Sequence, residues 1–269
     1  MQGRNINAAD VIALLREVYA DGIGNRDEAD ELIAFDHTLG EPPAGWSEFF
    51  AATVTDHVVL GSDPAGIIDD DKATWLIGAI SHGRRIATSG GFGAVMRALE
   101  TASQISPLLA AYAIGQVRFA VITGGGPAIG ARKHFSRVVD AEDVALLARI
   151  LELAGGALAC PVSRPEAEAL FDLHDAIAGS ATDAGFADLF TGAIASYLLG
   201  SAGVPPVTRL AQPEFAAAAP LGAEQSTWLS SRILRDGRPT PAEFSLLRLF
   251  AGGPGDMDPS LRQFLDCAA

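Results

Sequence analysis

The stretch that decides the fold is Tyr19-Ala20-Asp21-Gly22-Ile23-Gly24-Asn25-Arg26-Asp27-Glu28-Ala29. One helix stops in it, the chain turns, and a second helix starts. Upstream, Val11, Leu14, Leu15, Val18 and Tyr19 recur with the three-and-four spacing that paints one apolar stripe on a helix, expected over residues 8–21. Gly22 supplies the left-handed conformation that closes a helix C-terminus without a Cβ clash. Asn25 followed by Glu28 has the N-cap and N3 spacing of a capping box, in which each side chain satisfies an orphan backbone donor. The second helix, expected over 25–39, carries Ala29, Leu32, Ile33 and Leu39 on its apolar side. Two helices joined this tightly pack as a hairpin.

The device recurs. Asp236-Gly237 precedes Thr240-Pro241-Ala242-Glu243, again a cap with Glu three residues later, with Pro at the first helical position where its missing N–H is harmless. His82-Gly83 leading to Thr88 is a third version, and Gly155-Gly156 leading to Ser163-Arg164-Pro165-Glu166 a fourth with a longer loop. Between them, Trp46, Phe49, Phe50, Val54, His57 and Val58 share the face of a third helix, with His57 a core-edge residue whose polar tip reaches out. Asp69-Asp70-Asp71 opens a fourth helix, where carboxylates complement the positive end of the dipole. A fifth carries Val95, Met96 and Leu99, and a sixth begins near Pro107.

The chain also repeats itself. Asp143-Val144 restates Asp10-Val11, Glu166-Ala167 with Leu170-Phe171 restates Glu28-Ala29 with Leu32-Ile33, and Phe186, Leu189, Phe190, Ile194 and Tyr197 answer Trp46, Phe49, Phe50, Val54 and His57. Thr227-Trp228-Leu229 answers Thr74-Trp75-Leu76. The offset grows along the chain, and each growth falls in a loop, as a diverging duplication requires. The expected architecture is therefore all-α: two tandem, pseudo-symmetric helical-bundle repeats of about six helices each, built from hairpins. Residues 1–122 form the first repeat and 140–269 the second, joined by a Gly-rich linker at 123–139. That linker, Thr123-Gly124-Gly125-Gly126-Pro127-Ala128-Ile129-Gly130, matches neither a Gly-Lys-Ser/Thr phosphate loop nor a dinucleotide fingerprint. The Pro- and Ala-rich stretch 201–220 has no long counterpart in the first half and reads as an insertion or a partner-binding lid.

Composition narrows the function. An apolar share of 49% supplies a substantial core, and an aromatic share of only 7% suits helix packing by Leu, Ala, Ile and Val. A net charge of −14 repels phosphate backbones and anionic lipid surfaces and favours cations or basic partners, so neither nucleic acid nor membrane is expected as a partner. Cys160 and Cys267 stand far apart, outside any zinc or disulfide spacing, and no signal-peptide or membrane-spanning run is present, which makes a cytoplasmic location the expectation.

Only a divalent cation has several residues behind it. Placing Gly22 at the sixth position of a calcium loop puts Glu28 at the twelfth, but Glu17 and Tyr19 then fall at the first and third, so an EF-hand is not formed. A looser carboxylate site would draw on Asp21, Asp27 and Glu28, with Asp36 or His37 from the end of the second helix. Asp36-His37 and His174-Asp175 occupy matching helix ends with their order swapped. The five histidines lie in separate segments, no catalytic triad can be nominated, and a hydrolase with its site in the groove between the repeats is the alternative reading.

A helix ending in Ala20-Asp21-Gly22, then a capping residue, then Glu28-Ala29 and two apolar residues, resembles the TerB-like family, compact helical domains associated with tellurite resistance and chemical-stress operons. The resemblance implies an acidic, cytoplasmic, non-enzymatic bundle that binds a metal ion through carboxylates near the turn, or a protein partner. It carries over to Asp21, Gly22 and Glu28, and more weakly to Asp236, Gly237 and Glu243; the Gly155-Gly156 turn has no acid. Oligomeric state is left open, a homodimer included.

Overall fold

The structure is a computed structural model that describes residues 13, 15–17, 19–131, 137–180, 182–201, 203, 221–237, 239–251 and 261–262. Most of the first expected helix, residues 204–220 of the expected loop, and Cys267 lie outside the described residues. The described chain is mostly helical: α1 (Arg26–Thr38), α2 (Trp46–Thr55, extended by a π turn over Asp56–Leu60), α3 (Asp70–Ile80), α4 (Ser89–Thr101), α5 (Pro107–Thr123), α6 (Ala141–Ala154), α7 (Arg164–Ala176), α8 (Ala184–Ser201), α9 (Ala223–Ile233) and α10 (Pro241–Ala251). Three two-residue ladders, which helical periodicity does not reveal, staple the connections. One of them pairs Ile67–Ile68 in parallel with Gln104–Ile105, tying the loops that lead into α3 and α5.

Local chemistry sets the helix starts. Gly22 takes φ +82, and Asn25 caps α1 by accepting from the Glu28 N–H at 3.0 Å. The reciprocal bond departs slightly from the expected box, because the Glu28 carboxylate reaches past Asn25 to the Gly24 N–H at 2.9 Å. Ser163–Glu166 makes both bonds of a capping box at the head of α7. Asp69, Thr88 and Ser106 cap α3, α4 and α5 through their side chains.

Packing then joins the halves. The two most extensively packed helix pairs are α2 with α4 and α5 with α7. Helix α5 is apolar around its circumference, burying Leu109, Ala113, Ile114, Val117 and Val121 between neighbours on several sides. It contacts α3, α4, α6 and α7, so the helix just before the Gly-rich segment lies against the second half. The buried apolar side chains form a single cluster that runs from Ile23 to Leu261 and includes residues from both sides of that segment. Residues 125–131 themselves fold as a tight antiparallel reversal, Gly126 opposite Gly130. No helix among the described residues is long and apolar enough to cross a membrane.

Candidate functional site

In the first turn Glu28 serves the start of the helix. Asp21 and Asp27 are exposed, and Glu28 is half-buried. Both Glu28 oxygens are occupied, one by the Gly24 N–H and the other by the Asn25 side-chain amide at 2.8 Å. Asp36 is buried at the end of α1, where Oδ1 accepts from the Trp46 indole N–H at 2.6 Å and Oδ2 from the Thr88 hydroxyl. His37 turns the other way, its ring against His82 at 4.7 Å between centroids, and its Nε2 is buried without a hydrogen-bond partner. Of the five residues read from the sequence as cation ligands, Glu28 and Asp36 are engaged in hydrogen bonds, His37 packs on His82, and Asp21 and Asp27 are exposed. Beside the turn lies a cavity of about 440 Å³ bounded by Asp63, Asp69 and Asp71, but Lys72 sits among them. The Lys72 ammonium donates to the carbonyls of Ser62, Pro64 and Ile67 at 2.8, 2.8 and 2.9 Å.

The second half assembles what the first does not. Among the described residues, one group of three or more acids and imidazoles is close enough to hold a metal ion: His174, Asp175 and Glu243, with ligand atoms all within 4.8 Å of one another. Helix α7 delivers His174 and Asp175 from its last turn, and α10 delivers Glu243 from its first turn. His174 is held face-on to Phe190, centroids 4.6 Å apart at 18°, while its Nε2 bonds the Thr240 hydroxyl at 3.0 Å. That arrangement leaves Nδ1 buried with no hydrogen-bond partner among the described residues, 3.7 Å from Asp175 Oδ1.

The two carboxylates complete the group in different ways. Asp175 uses its second oxygen to accept from the Arg235 guanidinium at 2.8 Å. Glu243 is 3% exposed, and one oxygen accepts the Thr240 N–H at 2.7 Å. Burial pushes its carboxyl pKa upward, against the opposing pull of the Thr240 bonds and His174, because a charge in this place has lost its water. A buried carboxylate and a buried imidazole nitrogen thus lie within reach of one another. For atoms no more than 4.8 Å apart, a common point lies within roughly 2.8 Å of each, against about 2.0–2.2 Å in an occupied zinc site.

Residue spacing hides this group, since α7 and α10 meet only in the folded chain. The one local signal is the Thr240–Glu243 capping box, whose glutamate is buried where that of Asn25–Glu28 is half-buried. In the first half the third residue after the Thr88 cap is Gly91, not Glu. Among the described residues, Asp36-His37 therefore meets no third ligand.

A second cavity of about 360 Å³ opens between α3, α5 and α7, with Ser81, Arg84, Tyr112, Arg118 and Asp172 among its walls. Among the described residues no histidine lines it, and the one carboxylate that does, Asp172, is bonded to Arg235 at 2.9 Å. Compared with family models, curated proteins and solved structures, the chain shows no match.

Proposed function

We propose that the protein is a non-enzymatic helical binding protein, TerB-like in kind, that holds a divalent cation through His174, Asp175 and Glu243. The observation that carries this reading is the orphaned His174 Nδ1, nine-tenths buried and facing two carboxylates. One imidazole with two carboxylates suits zinc or manganese better than calcium, which prefers six or more oxygens. With Nδ1 as ligand, Nε2 carries the ring proton and donates it to Thr240 Oγ1, the outer bond that fixes tautomer and orientation. A role in stress response, and any protein partner, rest on the resemblance at residues 20–33.

The same proposal includes the duplication of one helical unit. Three matched pairs support it. Trp75 donates to Asp30 at 3.1 Å, as Trp228 does to Glu168 at 3.5 Å. His57 meets Trp75 edge-on at 72°, and Tyr197 meets Trp228 at 68°. Asp36 bonds the Thr88 cap of α4, and His174 bonds the Thr240 cap of α10.

Thermal shift and calorimetry on chelator-stripped protein with zinc, manganese, magnesium and calcium test the cation. Zinc or manganese at a hundred times Kd is expected to add about 2.7 kcal/mol of stability. His174→Ala and Glu243→Gln should abolish the effect, and Glu28→Ala should leave it intact. A stabilisation that survives His174→Ala, or none with any of the four ions, refutes the site.

A further inference from the structure

The cavity between α3, α5 and α7 has two basic side chains in its wall. The chain is strongly acidic overall, yet this cavity is walled by Arg84 and Arg118. The Arg85 and Arg118 guanidiniums stand 4.9 and 5.0 Å from the centre of one ring, Phe119. None of these three arginines has a carboxylate within ion-pair distance among the described residues, whereas Arg149, Arg164, Arg232 and Arg235 each have one. The one acid among the described residues of the wall, Asp172, is bonded to Arg235. Like charges gathered round one aromatic ring repel one another, and they gain most from an anion placed between them.

The basic turn is held there deliberately by the fold. Gln116, buried in α5, accepts the Ile86 N–H at 2.9 Å and donates to the Arg84 carbonyl at 3.2 Å. One amide therefore pins both ends of the segment that presents Arg84 and Arg85. Deeper in, Ser81 donates to the Ile77 carbonyl, which leaves the Tyr112 hydroxyl as the donor of the bond between the two hydroxyls. Burial raises the Tyr112 pKa and keeps the phenol neutral, with its oxygen free to accept a hydrogen bond from a ligand. Space is left by glycine: a Cβ built at Gly78 or Gly115 meets nothing within 4 Å.

We propose that this cavity binds a small organic anion, a phosphomonoester or carboxylate on a compact apolar body. The anionic end lies between Arg84 and Arg118, and the body lies along Ile77, Ala111 and Gly115. The volume of about 360 Å³ sits at the lower end of ligand pockets and limits the body to roughly one ring. Guanidinium forks match carboxylate and phosphate alike, so the shared oxyanion is the recognised chemistry and the probes separate the two.

The test is calorimetry at physiological ionic strength with phenyl phosphate, benzoate and inorganic phosphate, in the presence of EDTA so that the cation site plays no part. Phenyl phosphate or benzoate is expected to bind, and inorganic phosphate more weakly, because it leaves the apolar wall unfilled. Arg118→Gln should weaken binding by about tenfold or more. Gly115→Leu, which fills the cavity and removes no charge, should abolish it. Arg97→Gln, an exposed arginine on α4, should leave it unchanged. Circular dichroism confirms that each variant is folded. No binding by either aromatic anion, or binding that survives both Arg118→Gln and Gly115→Leu, overturns the proposal.

Discussion

Asp36 shows how much one buried carboxylate can organise. It is 2% exposed, and its two oxygens hold the Trp46 indole of α2 and the Thr88 cap of α4, so a single side chain sets the relation of three helices. Asp36→Ala leaves a buried N–H and a hydroxyl without their charged acceptor and is expected to cost about 3 kcal/mol in denaturant unfolding, with Asp36→Asn distinctly milder. Gly156 makes the same point for backbone. It holds φ +59, and a Cβ there would lie 2.6 Å from the Ser103 carbonyl oxygen, the same oxygen that accepts the Ala157 N–H at 3.1 Å. Gly156→Ala should therefore lower stability by about 2–4 kcal/mol, read from the shift in urea midpoint. The Gly155-Gly156 pair was legible as a turn, but the reason for the second glycine lies in the backbone of Ser103, about fifty residues upstream.

Helices and loops were read with unequal success, and the difference is physical. The starts of α1, α3, α4, α5, α7 and α10 follow from caps that satisfy local N–H groups, so they could be read from a few adjacent residues. The π turn at the end of α2 and the two-residue ladders could not, because their partners come from elsewhere in the chain. Lys72 illustrates the loop case. Its three ammonium protons close residues 61–67 onto α3, and burial lowers its pKa, opposed by Asp69 and Asp63. Lys72→Met should free those carbonyls, cost about 2–3 kcal/mol, and raise hydrogen exchange across 61–67 before other regions respond.

Taken whole, the molecule is acidic but not uniformly so, and its stability should record that. Glu243 has a folded-state pKa above its ordinary value of 4.5, chiefly through burial. The folded state thus holds this proton more tightly than the unfolded chain. Its contribution to stability is complete below pH 4.5 and is lost as pH rises through the higher folded value. Glu243→Gln should flatten that limb of the stability–pH curve measured by urea unfolding in chelator. Added zinc should flatten it in the wild type too, since a bound cation replaces the proton. The anion cavity sits beyond the reach of composition, because net charge says nothing about where unpaired arginines gather.

From the residues alone came the helical class, the turn positions and the caps that start the helices. All of these depend on neighbours within about four positions, the range over which a helix satisfies its own backbone. Tertiary structure alone decided that α5 packs against helices on both sides of the Gly-rich segment, that His174 and Asp175 meet Glu243, and that Arg85 and Arg118 stand over Phe119. Such meetings join residues tens of positions apart, and side-chain burial, not spacing along the chain, determines which polar atoms are left facing one another without water.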